Sequence, residues 1–438
     1  MRITFFILLL SITAAGYAQP QFRITELAPM PIAIANNAVV AANVQGEAYV
    51  YSFGGIVSGL SFINITQQAF RYHVASNTWD TIPPLPDTLG KIASAASYMN
   101  GKIYIIGGYH VMANGHEVSS SRVHIFDTQT NTYLPDGAPV PVPIDDHVQT
   151  IWRDSLIYLV AGWSNTAHET RVQIYNPATD TWAVGSSIPN TIDYKAFGAS
   201  GVIIGDTIFY MGGARNGLNF PVASELRKGV INPTNPSLIS WSYSIRFNTA
   251  GYRMGAAKAG NWAVWIGGAA NTYNYNAAAY DGSGVINPEN RIILYNPTLD
   301  SLLISQDSLP LPTMDMRGTG QLDGKRFIIC GGLLDNAIVS NHTFLFEDLT
   351  PTGIMEAHGE WSIKYYPNPT QGPLTIEVPI NAQIKVTNLT GKTIIPSISA
   401  EANTTIALNI PPSLASGLYL LHIETSYGVA VHKVTLVR

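Results

Sequence analysis

The chain has 438 residues and a formal net charge of -5, and only 12% of its residues are charged, while glycine (38), tyrosine (22) and tryptophan (8) are plentiful. No Lys/Arg cluster offers the footprint that phosphate neutralisation needs, which excludes nucleic acid as a partner. Low charge with abundant glycine and aromatics fits an exported all-β protein, and a single cysteine, Cys330, rules out an internal disulfide.

The first stretch, "MRITFFILLLSITAAGYA", has a positive start at Arg2, a short apolar core from Phe5 to Ile12 and small residues at Gly16-Tyr17-Ala18. It reads as a secretory signal peptide over residues 1–18, because its apolar run is far below the roughly 20 residues needed to span a bilayer. No later stretch is long and apolar enough, so no transmembrane segment is expected.

Beyond it a small pair of residues recurs at the end of an alternating apolar run: Gly54-Gly55, Gly107-Gly108, Ala161-Gly162, Gly212-Gly213, Gly267-Gly268 and Gly331-Gly332. The first members lie at 54, 107, 161, 212, 267 and 331, so the steps are 53, 54, 51, 55 and 64 residues, the mark of a repeat array. Each period begins with a strand of small residues such as "KIASAASYM", turns at a pair such as Asn100-Gly101 or Asp323-Gly324, and runs a second strand into the glycines. After a variable loop comes an aromatic strand and an Asn/Asp turn, as in "FRYHVASNTW" (70–79) and "VQIYNPATDTW" (172–182). Each period is therefore expected to be four antiparallel strands.

This order of signals resembles the kelch repeat, which implies a six-bladed kelch-like β-propeller over residues 19–350. In that family the glycine pair sits where neighbouring backbone comes too close for a Cβ. The sixth copy stops after its third strand, "HTFLFED" (342–348), whereas "FRITELAPMP" (22–31) has the pattern of a fourth strand with no blade of its own. The N-terminal strand is thus expected to complete the sixth blade and close the ring.

After a linker (351–359) the repeat signature ends. Residues 360–438 carry short strands at "PLTIEVP", "QIKVTNLTGK", "TTIALNIP", "GLYLLHIET" and "AVHKVTLVR", the pattern of a small β-sandwich domain. The ordered series "YPNPT", "VTNLTGK", "SGLYLLHI" and "KVTLV" is similar to the C-terminal sorting domain of the type IX secretion system of Bacteroidota. That resemblance implies export by a Sec signal peptide, crossing of the outer membrane by the type IX machinery, and a secreted or outer cell-surface location.

The loops after the glycine pairs and those leading into each first strand share one face, which is the expected binding site. Asp146, His147, Tyr194, Arg253 and Arg317 from the second set, with Trp163 and Arg215 from the first, are the candidate ligand-binding residues, because aromatic faces beside Asp and Arg suit a glycan or a protein surface. The plainer reading is that polar loops are solvated and Arg–Asp pairs lock blades together. His116-Glu117 and His168-Glu169 precede third strands, but without a third ligand they are read as loop residues, and no metal or cofactor is expected. Cys330 occupies a core strand position.

A non-catalytic glycan- or protein-binding module is the leading functional reading. The rival is a carbohydrate-active enzyme, since kelch propellers include sialic acid mutarotases and galactose oxidase-like copper enzymes. The copper chemistry needs a cysteine cross-linked to tyrosine, for which Cys330 is misplaced. For mutarotation Glu225 with Arg215 or Arg253 offers an acid/base group and a cation.

Overall fold

The computed structural model describes residues 19–246, 249–350, 364–379, 381–389, 391–425 and 428–438. The expected leader (1–18) and linker (351–359) lie outside them. The chain divides after Leu349, and Pro20–Leu349 forms one compact unit. In it six sheets each follow a four-strand antiparallel path, blade 2 adding a short strand, Glu117–Ser119. The innermost strands are Ala38–Val44, Ile92–Met99, Val148–Trp152, Ser200–Ile204, Gly255–Ala259 and Gly320–Gln321, for blades 1 to 6 in that order. Between first and second strands the turns take left-handed backbone, as at Asn100 (φ 51°) and Gly101 (φ 77°), which is why Asn-Gly suits the position.

The glycine pairs join each blade to the next. All five first glycines, and Ala161 in blade 3, have positive φ, from 56° to 75°. A Cβ on Gly54 would lie 2.6 Å from Lys91 O, and one on Gly107, Gly212, Gly267 or Gly331 would run into the carbonyl of Ile144, Gly251, Thr313 or Ile34. Each of these carbonyls belongs to the loop that leads into the next blade's first strand. The second residue of each pair donates its N–H to the corresponding carbonyl: Gly55 to Lys91, Gly108 to Ile144, Gly162 to Ala196, Gly213 to Gly251, Gly268 to Thr313 and Gly332 to Ile34. The pair is needed because the same peptide both donates across the blade boundary and leaves no room for a side chain.

The aromatic third strands explain the Asn/Asp turns that follow them. Tyr72, Tyr175 and Tyr295 are fully buried, and their hydroxyls donate to Asn77, Asp180 and Asp300 at 2.6, 2.6 and 2.7 Å. Asn77 and Asp180 also accept the N–H of Ala28 and Ala138, both 2.7 Å, in the segment leaving the preceding blade. Trp79 and Trp182 donate Nε1 to the carbonyls of those same alanines at 3.0 and 2.8 Å.

Ring closure follows the expected scheme. The strand Phe22–Glu26 pairs antiparallel with Thr343–Asp348, Phe22 opposite Asp348 and Glu26 opposite Phe344, as the outermost strand of blade 6. Phe22 packs edge-on against Phe327 and Phe346 at 5.8 and 6.0 Å. Cys330 is buried just before Gly331, and burial pushes its thiol up to about 12.

The C-terminal unit is a two-sheet β-sandwich. One sheet orders Lys364–Tyr366, Pro373–Val378 and Thr404–Asn409, and the other Thr393–Ala400, Ala382–Asn388, Gly417–Thr425 and Gly428–Leu436. Leu374, Ile376 and Val378 meet Ile384, Val386, Leu421 and Ile423 in its core, the face that the alternation marked. The strand Thr393–Ala400 escaped the sequence reading because Pro396 interrupts it; it is an edge strand, where a missing N–H is tolerated. No helix among the described residues is long and apolar enough to cross a membrane.

Candidate functional site

The hub of the propeller is closed at one end by backbone. In the loops that lead into the first strands, or in blade 2 at the second residue of the strand itself, Asn36, Ala93, Asp146, Gly198, Arg253 and Asp315 all adopt left-handed φ, between 47° and 66°. Asp146 N–H donates to Ala93 O (3.1 Å), Gly198 N–H to Asp146 O (2.8 Å), Arg253 N–H to Gly198 O (2.9 Å), Met316 N–H to Arg253 O (3.2 Å) and Asn36 N–H to Asp315 O (2.9 Å). Asn36 Oδ1 accepts from Ala93 N–H at 2.8 Å and completes the circle through all six blades. Left-handed backbone costs a non-glycine residue on the order of 1 kcal/mol or more, so the circle holds five such residues against their preference.

The side chains of this circle make a charged pin across the axis. Arg253 donates to Asp146 through Nε and Nη2 at 3.2 and 2.6 Å and to Asp315 through Nη1 at 2.9 Å. Arg317 Nη1 stands 3.5 Å from Asp146, and its Nη2 donates to His147 O at 2.7 Å, which ties blade 6 to blade 3. Asp146, Arg253 and Asp315 are at most 2% exposed. Burial works against the charge of Arg253, yet Asp146, Tyr252 and Asp315 hold its pKa well above the usual guanidinium value. Burial raises the Asp315 carboxyl against the pull of Arg253, and raises Asp145 well above the carboxylate range with Asp146 adding to the effect. Glu117, also raised by burial, completes this acidic surround.

Above the pin, the face expected to carry the binding site is closed over the axis by its own loops. Tyr252, Tyr273, Ala277, Phe197, Met314 and Leu333 form one buried apolar cluster drawn from the post-glycine and first-strand loops. Trp163 is half-buried in it, edge-on to Phe197 and Phe220 at 5.4 and 5.6 Å. Tyr194 lies elsewhere, 7% exposed in the cluster between blades 3 and 4 and edge-on to Tyr243. Arg215 pairs with Glu225 at 3.0 Å, and the second cation on Glu225 is Arg227 at 3.3 Å rather than Arg253. Of the seven sequence candidates, Asp146, His147, Arg253 and Arg317 are thus brought together at the hub, and Trp163, Tyr194 and Arg215 are not part of that group. His168 Nε2 is 3.0 Å from Ala214 O, in the post-glycine loop of blade 4, and Glu169 accepts the N–H groups of Thr170 and Arg171, so His168 joins two blades while Glu169 shapes its own loop.

What remains open on this face is a crown of loop tips. Phe62, Ile63, Met112, Leu218, Val285 and Ile338 are 38%, 75%, 40%, 89%, 56% and 59% exposed, and they come from the post-glycine loops of blades 1, 2, 4, 5 and 6. Those loops carry few charges; residues 54–68 carry none.

Below the pin runs the axial channel, a cavity of about 400 Å³ lined by the first strands of all six blades, among them Val39, Ala96, Thr150, Gly201, Ala257 and Thr319. Its lining is buried at the pin, where His147, Met254 and Arg317 sit, and turns solvent-exposed towards the hairpin turns at Asp154 and Lys258. The channel therefore opens on the face opposite to the crown. His147 is 1% exposed, and burial, reinforced by Arg317, lowers its pKa to about 4, so it is neutral at physiological pH. Gln149 spends its amide N–H on Ser97 Oγ at 2.9 Å, which leaves Oε1 to accept from His147 Nε2 at 3.2 Å. His147 Nδ1 is then a bare acceptor. Sequence reasoning missed Gln149 and Thr150, which sit inside the strand Val148–Trp152; two adjacent polar residues within "HVQTIW" were the available sign.

Comparison with known proteins agrees with this architecture. Residues 38–226 match the family described as KLHDC2/KLHL20/DRC7 Kelch-repeats domain, and residues 364–437 match the Secretion system C-terminal sorting domain. The chain therefore joins a kelch-repeat propeller to a C-terminal sorting domain, and the tail implies secretion through a type IX system. Among individual proteins it is similar to Kelch-like protein terF of Aspergillus terreus, 29% identical over 43% of this chain and 40% of that protein. It is also similar to Kelch-like protein 35 of Mus musculus, 26% identical over 31% of this chain and 22% of that protein. The chain thus spans well under half the length of these relatives. A solved structure titled "Structure of YjhT" superposes with a TM-score of 0.59 at 14% identity, covering 72% of this chain and 95% of that one, which shows the fold alone.

Proposed function

We infer that this protein is an exported, non-catalytic kelch propeller that binds a macromolecular partner outside the cell through the crown of post-glycine loops. The observation that supports this reading is the crown itself: exposed apolar side chains from five blades, in charge-poor loops rich in Asn, Ser, Gly and Tyr, held on a rigid closed hub. Depletion of charge with apolar and aromatic enrichment is the composition of a protein interface core, and Tyr, Ser, Gly and Asn are the residues of adaptable binding loops. A protein partner fits the scattered aliphatic tips better than a glycan, which needs flat aromatic faces.

The test places Leu218→Asp and Ile338→Asp in the full-length secreted chain and asks which surface proteins of the producing cell are cross-linked to it. Parent protein should capture a defined partner that both crown variants lose, each by about tenfold or more, whereas Val230→Asp, at an exposed position of the third strand of blade 4, should retain it. Crown variants that keep every partner of the parent refute the assignment, and binding to immobilised glycans in place of proteins redirects it.

A further inference from the structure

Each blade ends in an outermost strand whose far edge has no partner within its own sheet, and in five of the six blades that edge is short or charged. Thr78–Ile82, Thr132–Leu134, Thr181–Gly185 and Phe22–Glu26 are three to five residues long, and the first and last of them carry Asp80, or Arg23 and Glu26. Ser301–Ser308 is longer but holds Asp307, whose carboxylate takes the N–H of Phe22 at 2.8 Å. Short strands and charges are how proteins blunt such edges. Blade 4 departs from this pattern. Its outermost strand, Asn235–Ile245, runs for 11 residues without a charge, and its Leu238, Tyr243 and Ile245 are 52%, 40% and 67% exposed. We propose that this strand is a self-association edge, along which a second copy of the chain pairs antiparallel about a twofold axis at Tyr243.

Hydrogen bonds already made locate the free part of the edge. Along a strand the backbone groups of successive residues point to opposite sides. Ile239 N–H donates to Ser186 Oγ at 3.1 Å, and Ser237 O accepts Ser186 N–H at 2.8 Å, both from the segment that leaves blade 3. The odd-numbered residues therefore face away from the neighbouring strand Glu225–Asn232, and Ser186 covers the edge only as far as Ile239. Trp241, Tyr243 and Ile245 turn their N–H and C=O groups outward, and among the described residues those groups have no partner. Two of their side chains are fixed in advance: Trp241 Nε1 donates to Ser186 O at 2.9 Å, and Tyr243 packs edge-on against Tyr194 at 5.2 Å. Groups ordered beforehand lose less freedom on association.

A second copy fits this edge because the strand complements itself. Only a register centred on Tyr243 sets all three outward residues opposite one another, Tyr243 facing its own counterpart and Trp241 of one copy facing Ile245 of the other. Each such pair exchanges two N–H···O bonds. The residues between them match as well, Ser242 of one copy lying opposite Ser244 of the other. Aromatic with aromatic, aromatic with β-branched, and hydroxyl with hydroxyl are favourable cross-strand pairs. No like charges meet, because the strand has none, and Arg246 just beyond it is already held by Asp300 at 2.7 Å. The contact uses the same edge of both copies, so it closes as a dimer and leaves no edge to extend a fibre.

Sedimentation equilibrium of the full-length secreted chain over about 1 to 300 µM tests this. A contact of this length belongs to the weak class below about 1,200 Å², so the mass should climb from monomer towards dimer within that range. Tyr243→Lys and Tyr243→Glu each set like charges opposite one another at the axis and should weaken association by about tenfold or more, with melting temperatures near the parent's because the side chain is 40% exposed. Mixed in equal amounts the two variants should regain the dimer, since opposite charges then meet; a role confined to one chain gives no such rescue. Ile245→Lys, at a position 67% exposed, should weaken the dimer too and carries the test if a Tyr243 variant fails to fold. The proposal is overturned if the parent stays monomeric throughout, whether the edge is then bare or taken by another protein. It is overturned equally if the lysine variants dimerise as the parent does, or if mixing the two Tyr243 variants restores nothing.

Discussion

Replacing Arg253 by methionine removes the cation of the pin and keeps most of the volume of its stem. Asp146 loses two charge-assisted hydrogen bonds and Asp315 loses one, at the distances of 3.2, 2.6 and 2.9 Å. Asp146 retains Arg317 at 3.5 Å, whereas Asp315 keeps two neutral donors, Asn36 Nδ2 at 3.2 Å and the Tyr273 hydroxyl at 3.5 Å. Removing one partner of a buried ion pair costs about 3 to 5 kcal/mol, and about 4 is expected here because one carboxylate is partly compensated. Over residues 20–349 an unfolding entropy of about 2.1 cal/mol/K per residue gives roughly 0.7 kcal/mol per degree, so the melting temperature should fall by about 6 °C. The loss should also depend on pH. Burial already raises the Asp315 carboxyl, and without Arg253 it rises further. A carboxyl whose folded pKa lies above its unfolded value is penalised increasingly as pH rises past that unfolded value, so the gap between variant and parent should narrow from pH 7 to pH 5. Calorimetry at both pH values measures this. A variant within about 1 kcal/mol of the parent at pH 7, or a gap indifferent to pH, would refute the view that Arg253 is the pin of the hub.

Phe22→Ala should cost about 3 kcal/mol, because the ring is buried against Phe327 and Phe346, and thermal unfolding would show a drop of roughly 4 °C. Gly212→Ala, whose Cβ would strike Gly251 O at φ 69°, should destabilise by more than about 2 kcal/mol, while Gly260→Ala, at φ 56° with nothing within 4 Å, should cost only about 1; chemical denaturation of the pair separates close approach from backbone preference. His147 has a folded pKa near 4 against about 6.5 unfolded, so its contribution is full above pH 6.5 and is lost as pH falls towards 4, by roughly 3 kcal/mol; a His147→Gln variant should lack that part of the acid slope in urea titrations. Deleting residues 364–438 should leave the propeller folded and confined to the periplasm of a type IX-competent host, which cell fractionation would report.

The repeat was legible because its key positions depend on chemistry that few residues supply. Only glycine tolerates both the positive φ and the crowding at Gly107 or Gly331, and only a tyrosine with an Asn or Asp five residues on makes the bond seen at Tyr72–Asn77 and Tyr175–Asp180. The N-terminal latch could be read from a strand with no blade and a blade with no fourth strand. The hub could not. Asn36, Ala93, Asp146, Gly198, Arg253 and Asp315 share a conformation but spread over five residue types, since their left-handed backbone is imposed by ring closure. Asp146 and Arg253 look like exposed loop charges in the sequence, and only the convergence of blades 3, 5 and 6 on one axis buries them together. Thr150 was hidden for the opposite reason: in a strand that packs between blades, nothing local distinguishes a satisfied hydroxyl from a vacant one.

The pairing of Phe22–Glu26 with Thr343–Asp348 also sets the order of events in the life of the chain. The first strand to be synthesised waits for a partner more than 300 residues downstream, so closure is a contact of the longest possible range within the propeller and has to await the last blade. A ribosome or a translocation channel that halts between residues 308 and 343 releases five complete blades with an unclaimed edge at one end and an unclaimed strand at the other. Such a product keeps an open edge and a loose strand, the features that local opening and proteolysis exploit, and closing the circle removes both at once.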